Sequence, residues 1–133
     1  ERCVSRRVGQ IFIENAINDQ EIKIGGDGED KLDFTYIKDL CNGVQLTIEK
    51  KEAQNEIFNL TCGGAKTINN LKDILLEYFP KAKITYEKRD KLMPKRGTLS
   101  INKAKKLLGY IPTFPIEEAY PVYIEWYKEF LNN

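Results

Sequence analysis

The chain contains no histidine, one methionine, one tryptophan and three cysteines in 133 residues. Histidine is the side chain whose unperturbed charge change falls between about pH 5 and 8, so acid–base chemistry near neutrality would fall to carboxylates or a strongly shifted lysine. Cys3, Cys41 and Cys62 are odd in number, far apart and without metal-ligand spacing. That pattern excludes a zinc site and a cysteine–histidine nucleophile, and it fits the reduced thiols of a cytoplasmic protein. No apolar run approaches the roughly 20 residues of a membrane-spanning helix, and no secretory signal precedes Glu1, so the expectation is a soluble, intracellular chain without a membrane partner. The start at Glu1 rather than methionine reads as a fragment. With 21 basic against 20 acidic residues, no global field points to nucleic acid, and any electrostatic recognition must be local. No Gly-x-Gly-x-x-Gly or Gly-x-x-Gly-x-x-Gly turn follows a strand, which excludes a pyrophosphate cradle for a dinucleotide. There is no internal repeat and no low-complexity segment.

What is present is enough for a core. Apolar residues make up 41% of the chain, and the length suits one domain over residues 1–133. Val4, Val8, Ile11, Phe12 and Ala16 recur at helical intervals, predicting an amphipathic helix that starts near Ser5 and ends at Asn18-Asp19, with Arg6 and Arg7 in its first turn. Ile22 and Ile24 alternate with charged residues, the period of a half-buried strand, and Gly25-Gly26-Asp27-Gly28 breaks it. Leu32, Phe34 and Tyr36 give a second alternating run, so these two strands are expected to pair across the glycine turn before a helix from Ile37. That helix carries Ile37, Leu40, Cys41, Val44 and Ile48 on one stripe, with Gly43 marking a close approach. Lys50 to Glu56 reads as a loop. Ile57-Phe58-Asn59-Leu60-Thr61-Cys62 reads as a strand buried on both faces.

Thr67 is expected to cap a helix ending before Pro80, and Ile84 and Tyr86 to alternate along a strand from Lys83 to Lys88. The basic run KRDKLMPKRGTLS follows. Such runs are usually solvated, but Arg89 and Arg96 flank a loop stiffened by Pro94 and freed by Gly97, and an arginine there could hold a diphosphate bidentately. Asn102 to Leu108 should form a helix stopped by Gly109. Pro115 should open a last helix, with Glu117 and Glu118 suiting its positive end and Pro121 kinking or restarting it. Its aromatic residues read as core and interdomain packing rather than a cofactor box.

Two motifs carry a resemblance. Gly26-Asp27-Gly28 followed by Asp33-Phe34-Thr35-Tyr36-Ile37 and Asp39 resembles the sugar-nucleotide loop of the NAD-dependent epimerase/dehydratases, the UDP-glucose 4-epimerase-like extended short-chain dehydrogenase/reductases. Pro94, Arg96, Gly97, Leu99, Ile101, Lys103, Ala104, Leu108, Gly109, Tyr110 and Pro112 resemble that family's C-terminal signature, with Ser100 where aspartate is frequent. Leu32 stands where the family has an arginine that contacts phosphate, and a leucine cannot form the paired charge-assisted bonds of an arginine fork. Lys31 beside it could act as a point charge, although on a strand it would leave the opposite face.

The resemblance implies an α/β fold, α+β-like when isolated. It would be the small C-terminal substrate-binding domain of such an enzyme, lacking most of the Rossmann sheet. It implies that Ile22, Lys23 and Ile24 line a nucleotide base, Phe34 sits beside base or ribose, and Arg96 with Arg89 faces the phosphates. The first helix would border the sugar-nucleotide cleft, and the strand at Ile57–Cys62 would join the edge of the large sheet. The glycine-bearing loop and the arginine loop would converge on one anionic cleft. NAD would be bound by an N-terminal half not contained here and would transiently oxidise the sugar at its fourth carbon. No tyrosine of the chain is followed four positions later by lysine, the pair such enzymes use, so no catalytic residue is expected and the chain alone should be inactive. Expected partners are a nucleotide sugar, the Rossmann domain, and a further copy in a homo-oligomer. The alternative is a stand-alone, non-catalytic module that associates with a Rossmann-fold protein or with itself.

Overall fold

A computed structural model describes residues 7–132. In chain order its elements are α1 (Val8–Ile17), β1 (Ile22–Gly25), β2 (Lys31–Leu32), α2 (Ile37–Glu49), a 3-10 turn (Lys51–Ala53), β3 (Lys66–Thr67), α3 (Ile68–Tyr78), β4 (Ile84–Glu87), α4 (Asn102–Leu108) and α5 (Ile116–Asn132). The described chain divides into two compact units. The first contains the described residues up to Asp30, Thr67–Pro94 and the chain from Tyr120, and the second contains Lys31–Lys66 and Lys95–Ala119.

In the first unit, β1 pairs with β4 in parallel, in the register Ile22 to Ile84 and Gly25 to Glu87. The predicted hairpin does not form, because β1 takes its partner from β4 and β2 pairs with β3. Alternation identifies a half-buried strand but not the strand beside it. Ile22 and Ile24 are buried, as are Phe12, Ile13, Leu71, Ile74, Leu75, Tyr120, Ile124 and Tyr127 of the same unit. Each such side chain contributes roughly 1.5–3 kcal/mol by leaving water.

Helix α3 begins where the sequence marks it. The Thr67 hydroxyl accepts from Asn70 N–H at 3.1 Å, and the Asn70 side chain accepts from Thr67 N–H at 3.0 Å. This reciprocal cap satisfies two donors that a helix start leaves open. Helix α1 starts at Val8, with Arg7 at its N-cap and no side-chain cap bond. Val4, Ser5 and Arg6, expected in its first turn, and Cys3 lie outside the described residues. Helix α5 runs through Pro121 without interruption, against the expected restart. Its aromatic residues divide. Tyr120 and Tyr127 are buried, whereas Trp126 and Phe130 are 52% and 60% exposed and stack on one another.

The second unit is built on Ile101, Ala104, Leu108 and Tyr110, with Leu46, Ala53, Phe58 and Leu60 packed against them. Gly43 explains how closely α2 approaches this cluster, because a Cβ there would stand 3.0 Å from both Leu60 Cδ2 and Tyr110 Cε2. Helix α4 stops at Gly109 with φ of 71°, the left-handed turn that costs glycine least.

Two expectations fail in this unit for a shared reason. The apolar stripe of α2 is not core. Ile37, Val44 and Ile48 are exposed, as is Cys41, while Asp39 and Gly43 are the buried positions. Residues 57–62 form no strand with any described residue and bend at Thr61, and Ile57 is 86% exposed. Hydrophobicity marks a surface that needs cover, and of the apolar residues expected to be buried in the strand at 57–62 Phe58 and Leu60 find it against the described core. The stretch from Asp33 to Tyr36 is also not a strand, because side chains take the backbone's place. Thr35 Oγ1 accepts from Cys62 N–H at 3.1 Å, Asp33 Oδ2 accepts from Leu99 N–H at 3.3 Å, and Tyr36 stacks on Phe114 at 4.6 Å.

Candidate functional site

The sequence-predicted residues divide between the units. Ile22, Lys23, Ile24 and Arg89 lie in the first, and Lys31, Phe34 and Arg96 in the second. In β1 the side chains of Ile22 and Ile24 are 0% and 2% exposed, so the strand can meet a ligand only through its main chain and through Lys23. Ile22 N–H donates to Lys83 O at 2.8 Å, and Gly26 N–H donates to Glu87 O at 2.7 Å. Residues 22, 24 and 26 thus direct their polar backbone toward β4. Lys23 and Gly25 carry theirs on the opposite edge, because in a parallel ladder successive residues face opposite ways. Among the described residues no strand pairs with that edge. The Lys23 side chain turns to Glu87 at 2.7 Å, and this hydrogen bond raises its pKa above the ordinary lysine value.

After β1 the chain makes a turn with φ of +77° at Gly26 and +79° at Gly28. Asn69, in the first turn of α3, holds it. Its Nδ2 donates to Asp27 O at 2.9 Å and to Glu29 Oε1 at 2.7 Å, and its N–H donates to Gly28 O at 3.0 Å. The Tyr86 hydroxyl donates to Asn69 Oδ1 at 2.9 Å, and Lys72 Nζ donates to that hydroxyl at 3.4 Å. Asp27 Oδ1 closes the turn by accepting from Glu29 N–H at 3.0 Å. No sequence signal singled out Asn69, since an asparagine two positions after a helix cap is unremarkable in any pattern.

Arg89 is not the solvated cation that its basic run suggests. Its Nε meets Asp30 Oδ2 at 2.8 Å, and its Nη1 and Nη2 donate to Asp90 O at 3.3 Å and Pro94 O at 3.4 Å. These bonds fold the 89–94 loop around the guanidinium and tie it to the chain just after the glycine turn. Arg96 is exposed, and among the described residues no hydrogen bond or ion pair engages it. Lys31 is exposed in β2, and Phe34 is half-buried in the segment after it.

In the second unit the buried carboxylate of Asp39 accepts from Thr113 and Phe114, a structural role. The Cys62 thiol is pushed above its ordinary value by burial and by the charges of Asp33 and Asp39. No group of three metal-ligating side chains occurs among the described residues, and no helix there is long and apolar enough to cross a membrane. The turn after β1 leads into β2 rather than a helix, and the N–H groups that the start of α3 points at it, those of Ile68 and Asn69, are taken by Asp30 O and Gly28 O, so the turn does not fit a dinucleotide pyrophosphate.

A glycine turn on an open strand edge, followed by the Asp33–Asp39 motif, is the arrangement that comparison with known proteins decides. Residues 3–61 match the NAD dependent epimerase/dehydratase family. The family resembled in the motifs is therefore the family matched. Over 122 residues the chain is 38% identical to UDP-glucuronate 4-epimerase of Thermodesulfobacterium geofontis, covering 89% of this chain and 36% of that protein. It superposes on an epimerase of Methanothermobacter thermautotrophicus with TM-score 0.90 and 28% identity, covering 97% of this chain and 39% of the other. The UDP-glucose 4-epimerase of Thermotoga maritima, solved with UDP-glucose, matches with TM-score 0.86 and 30% identity, covering 98% and 42%. The fold is α/β, that of part of an extended short-chain dehydrogenase/reductase epimerase. The chain spans about two-fifths of the length of these relatives.

Proposed function

We propose that this chain is the C-terminal, substrate-binding portion of an NAD-dependent nucleotide-sugar epimerase or dehydratase and does not perform the redox chemistry alone. The observation that carries the reading is the free edge of β1, where Lys23 and Gly25 offer main-chain donors and acceptors beside a glycine turn held in one conformation. A nucleotide base presents alternating donors and acceptors along its edge, and a strand edge offers the same to it. The UDP-glucose held by the T. maritima relative supports a nucleoside diphosphate sugar as the ligand class.

In this reading Lys23 meets the base through the main-chain groups of the open edge, Ile22 and Ile24 hold the strand beneath it with their own polar groups turned to β4, Phe34 borders base or ribose, Lys31 adds a point charge, and Arg96, exposed and unengaged, meets the phosphates. Arg89 serves by holding its loop, since its fork is already taken up by Asp30 and two carbonyls. The nicotinamide dinucleotide would belong to an N-terminal half, because this chain offers neither a pyrophosphate cradle nor a tyrosine–lysine pair. The exposed stripe Ile37, Val44 and Ile48, with the apolar segment 57–62 forming no strand among the described residues, supports a missing sheet that both would complete. Titration of the intact protein with UDP-, dTDP- and GDP-sugars tests the proposal, with about a tenfold weaker fit expected for Arg96→Ala. Unchanged affinity for every sugar nucleotide removes Arg96 from the site.

The same exposed stripe favours a second reading, a stand-alone module that covers this surface with a Rossmann-fold partner or another copy of itself. Sizing the chain by solution scattering separates the two. A compact monomer that binds sugar nucleotides supports the first, and a self-associated species that binds none supports the second.

A further inference from the structure

Asn69 uses both polar atoms of its side chain and its main-chain N–H on the glycine turn or on the residue that braces it. Its two Nδ2 hydrogens reach Asp27 O and Glu29 Oε1, its main-chain N–H reaches Gly28 O, and its Oδ1 accepts from Tyr86. Only an amide in this orientation satisfies that set, because Nδ2 must donate twice while Oδ1 must accept. The approach is close enough that a Cβ on Gly28 would fall 2.2 Å from Asn69 Oδ1. Two left-handed residues, Gly26 and Gly28, give the turn many conformations in the absence of such bonds. We propose that Asn69 is the positioning residue of the nucleotide-sugar site, fixing the turn so that the open edge of β1 and the chain leaving it are presented in one geometry. The proposal rests on the reading that this edge meets the nucleotide.

An isosteric carboxylate at position 69 keeps the acceptor for Tyr86 but replaces both donors with a charge facing Asp27 O and the Glu29 carboxylate. Asn69→Asp should therefore release the turn. The expected result is about a tenfold rise in the dissociation constant for UDP-glucose, or whichever UDP-, dTDP- or GDP-sugar the unaltered protein binds. Amide hydrogen exchange should accelerate at least about tenfold at Asp27–Glu29 and remain unchanged in the β1–β4 ladder, the Gly26 N–H bonded to Glu87 O included. Tyr86→Phe, which removes only the brace on Asn69, should shift both readouts the same way and by less. Faster exchange with unaltered affinity overturns the positioning role, and so does unaltered exchange. Absence of binding by the unaltered protein overturns the underlying reading and the ligand role of Asn69 with it, whereas intact binding beside a silent Asn69→Asp overturns Asn69 alone.

Discussion

A single oxygen of the Asp39 carboxylate accepts both the main-chain N–H and the hydroxyl of Thr113, each at 3.1 Å, while the other accepts from Phe114 N–H at 3.0 Å. Asp39 is 6% exposed and sits in the first turn of α2, where the helix dipole favours its charge. Removing the carboxylate leaves these donors without their acceptor. Asp39→Ala should cost about 3 kcal/mol in urea unfolding, and Asp39→Asn, which keeps one acceptor oxygen, about half that.

Two glycines should respond differently from those of an ordinary helix or turn. An alanine at an open helical site gains up to about 1 kcal/mol over glycine. At Gly43 the new methyl would press on Leu60, which can yield, and on fully buried Tyr110, which cannot. Gly43→Ala should lower stability by about 1 kcal/mol net, read from denaturant midpoints.

Gly28→Ala combines a positive φ with a collision on Asn69, whereas the same change at Gly26 meets only the stem of Arg89 at 3.3 Å. The first should cost about 3 kcal/mol and the second about 1–2, the left-handed penalty. Thermal unfolding of the pair would contradict this if the order were reversed.

Thiol chemistry should separate the two described cysteines. Cys41 is exposed, and Cys62 is partly buried with its pKa raised by burial and neighbouring carboxylates. The thiolate is the reacting form. In a Cys3→Ser chain, iodoacetamide at mildly alkaline pH should modify Cys41 first, as peptide mapping can follow.

The Lys66–Glu117 pair should appear in the acid limb of stability. Its hydrogen bond from Lys66 lowers the Glu117 pKa below the ordinary 4.5. A depressed carboxylate contributes stability above the unfolded value and loses it as pH falls through the folded one. Lys66→Ala should therefore cost under about 1 kcal/mol near neutrality, because the pair is about half exposed. The difference from the unaltered chain should vanish well below the 4.5 of a free glutamate side chain.

Local signals were read from the sequence where one residue suffices to make them. Thr67 set the start of α3, Gly109 the stop of α4, and Ile22, Ile24 and Ile84 their strands. Signals that depend on a partner were not legible. Alternation at β1 does not reveal that its neighbour arrives from β4. The stripe at Ile37, Val44 and Ile48 announces a covered face without saying what covers it. The site divides the same way. The glycine turn and its motif stood out, but a cation's sequence does not disclose Asp30 beside Arg89, and nothing in the pattern distinguished Asn69 from Asn70.

The parallel pairing of β1 with β4 also sets an order of events during synthesis. Ile22 leaves the ribosome roughly 60 residues before Ile84, the residue opposite it, an interval of about 3–12 s at translation rates of 5–20 residues per second. Throughout that time Ile22 and Ile24 have no ladder to close, so the nascent chain carries an uncovered sticky strand. Slowing translation between these positions should prolong its exposure to chaperones.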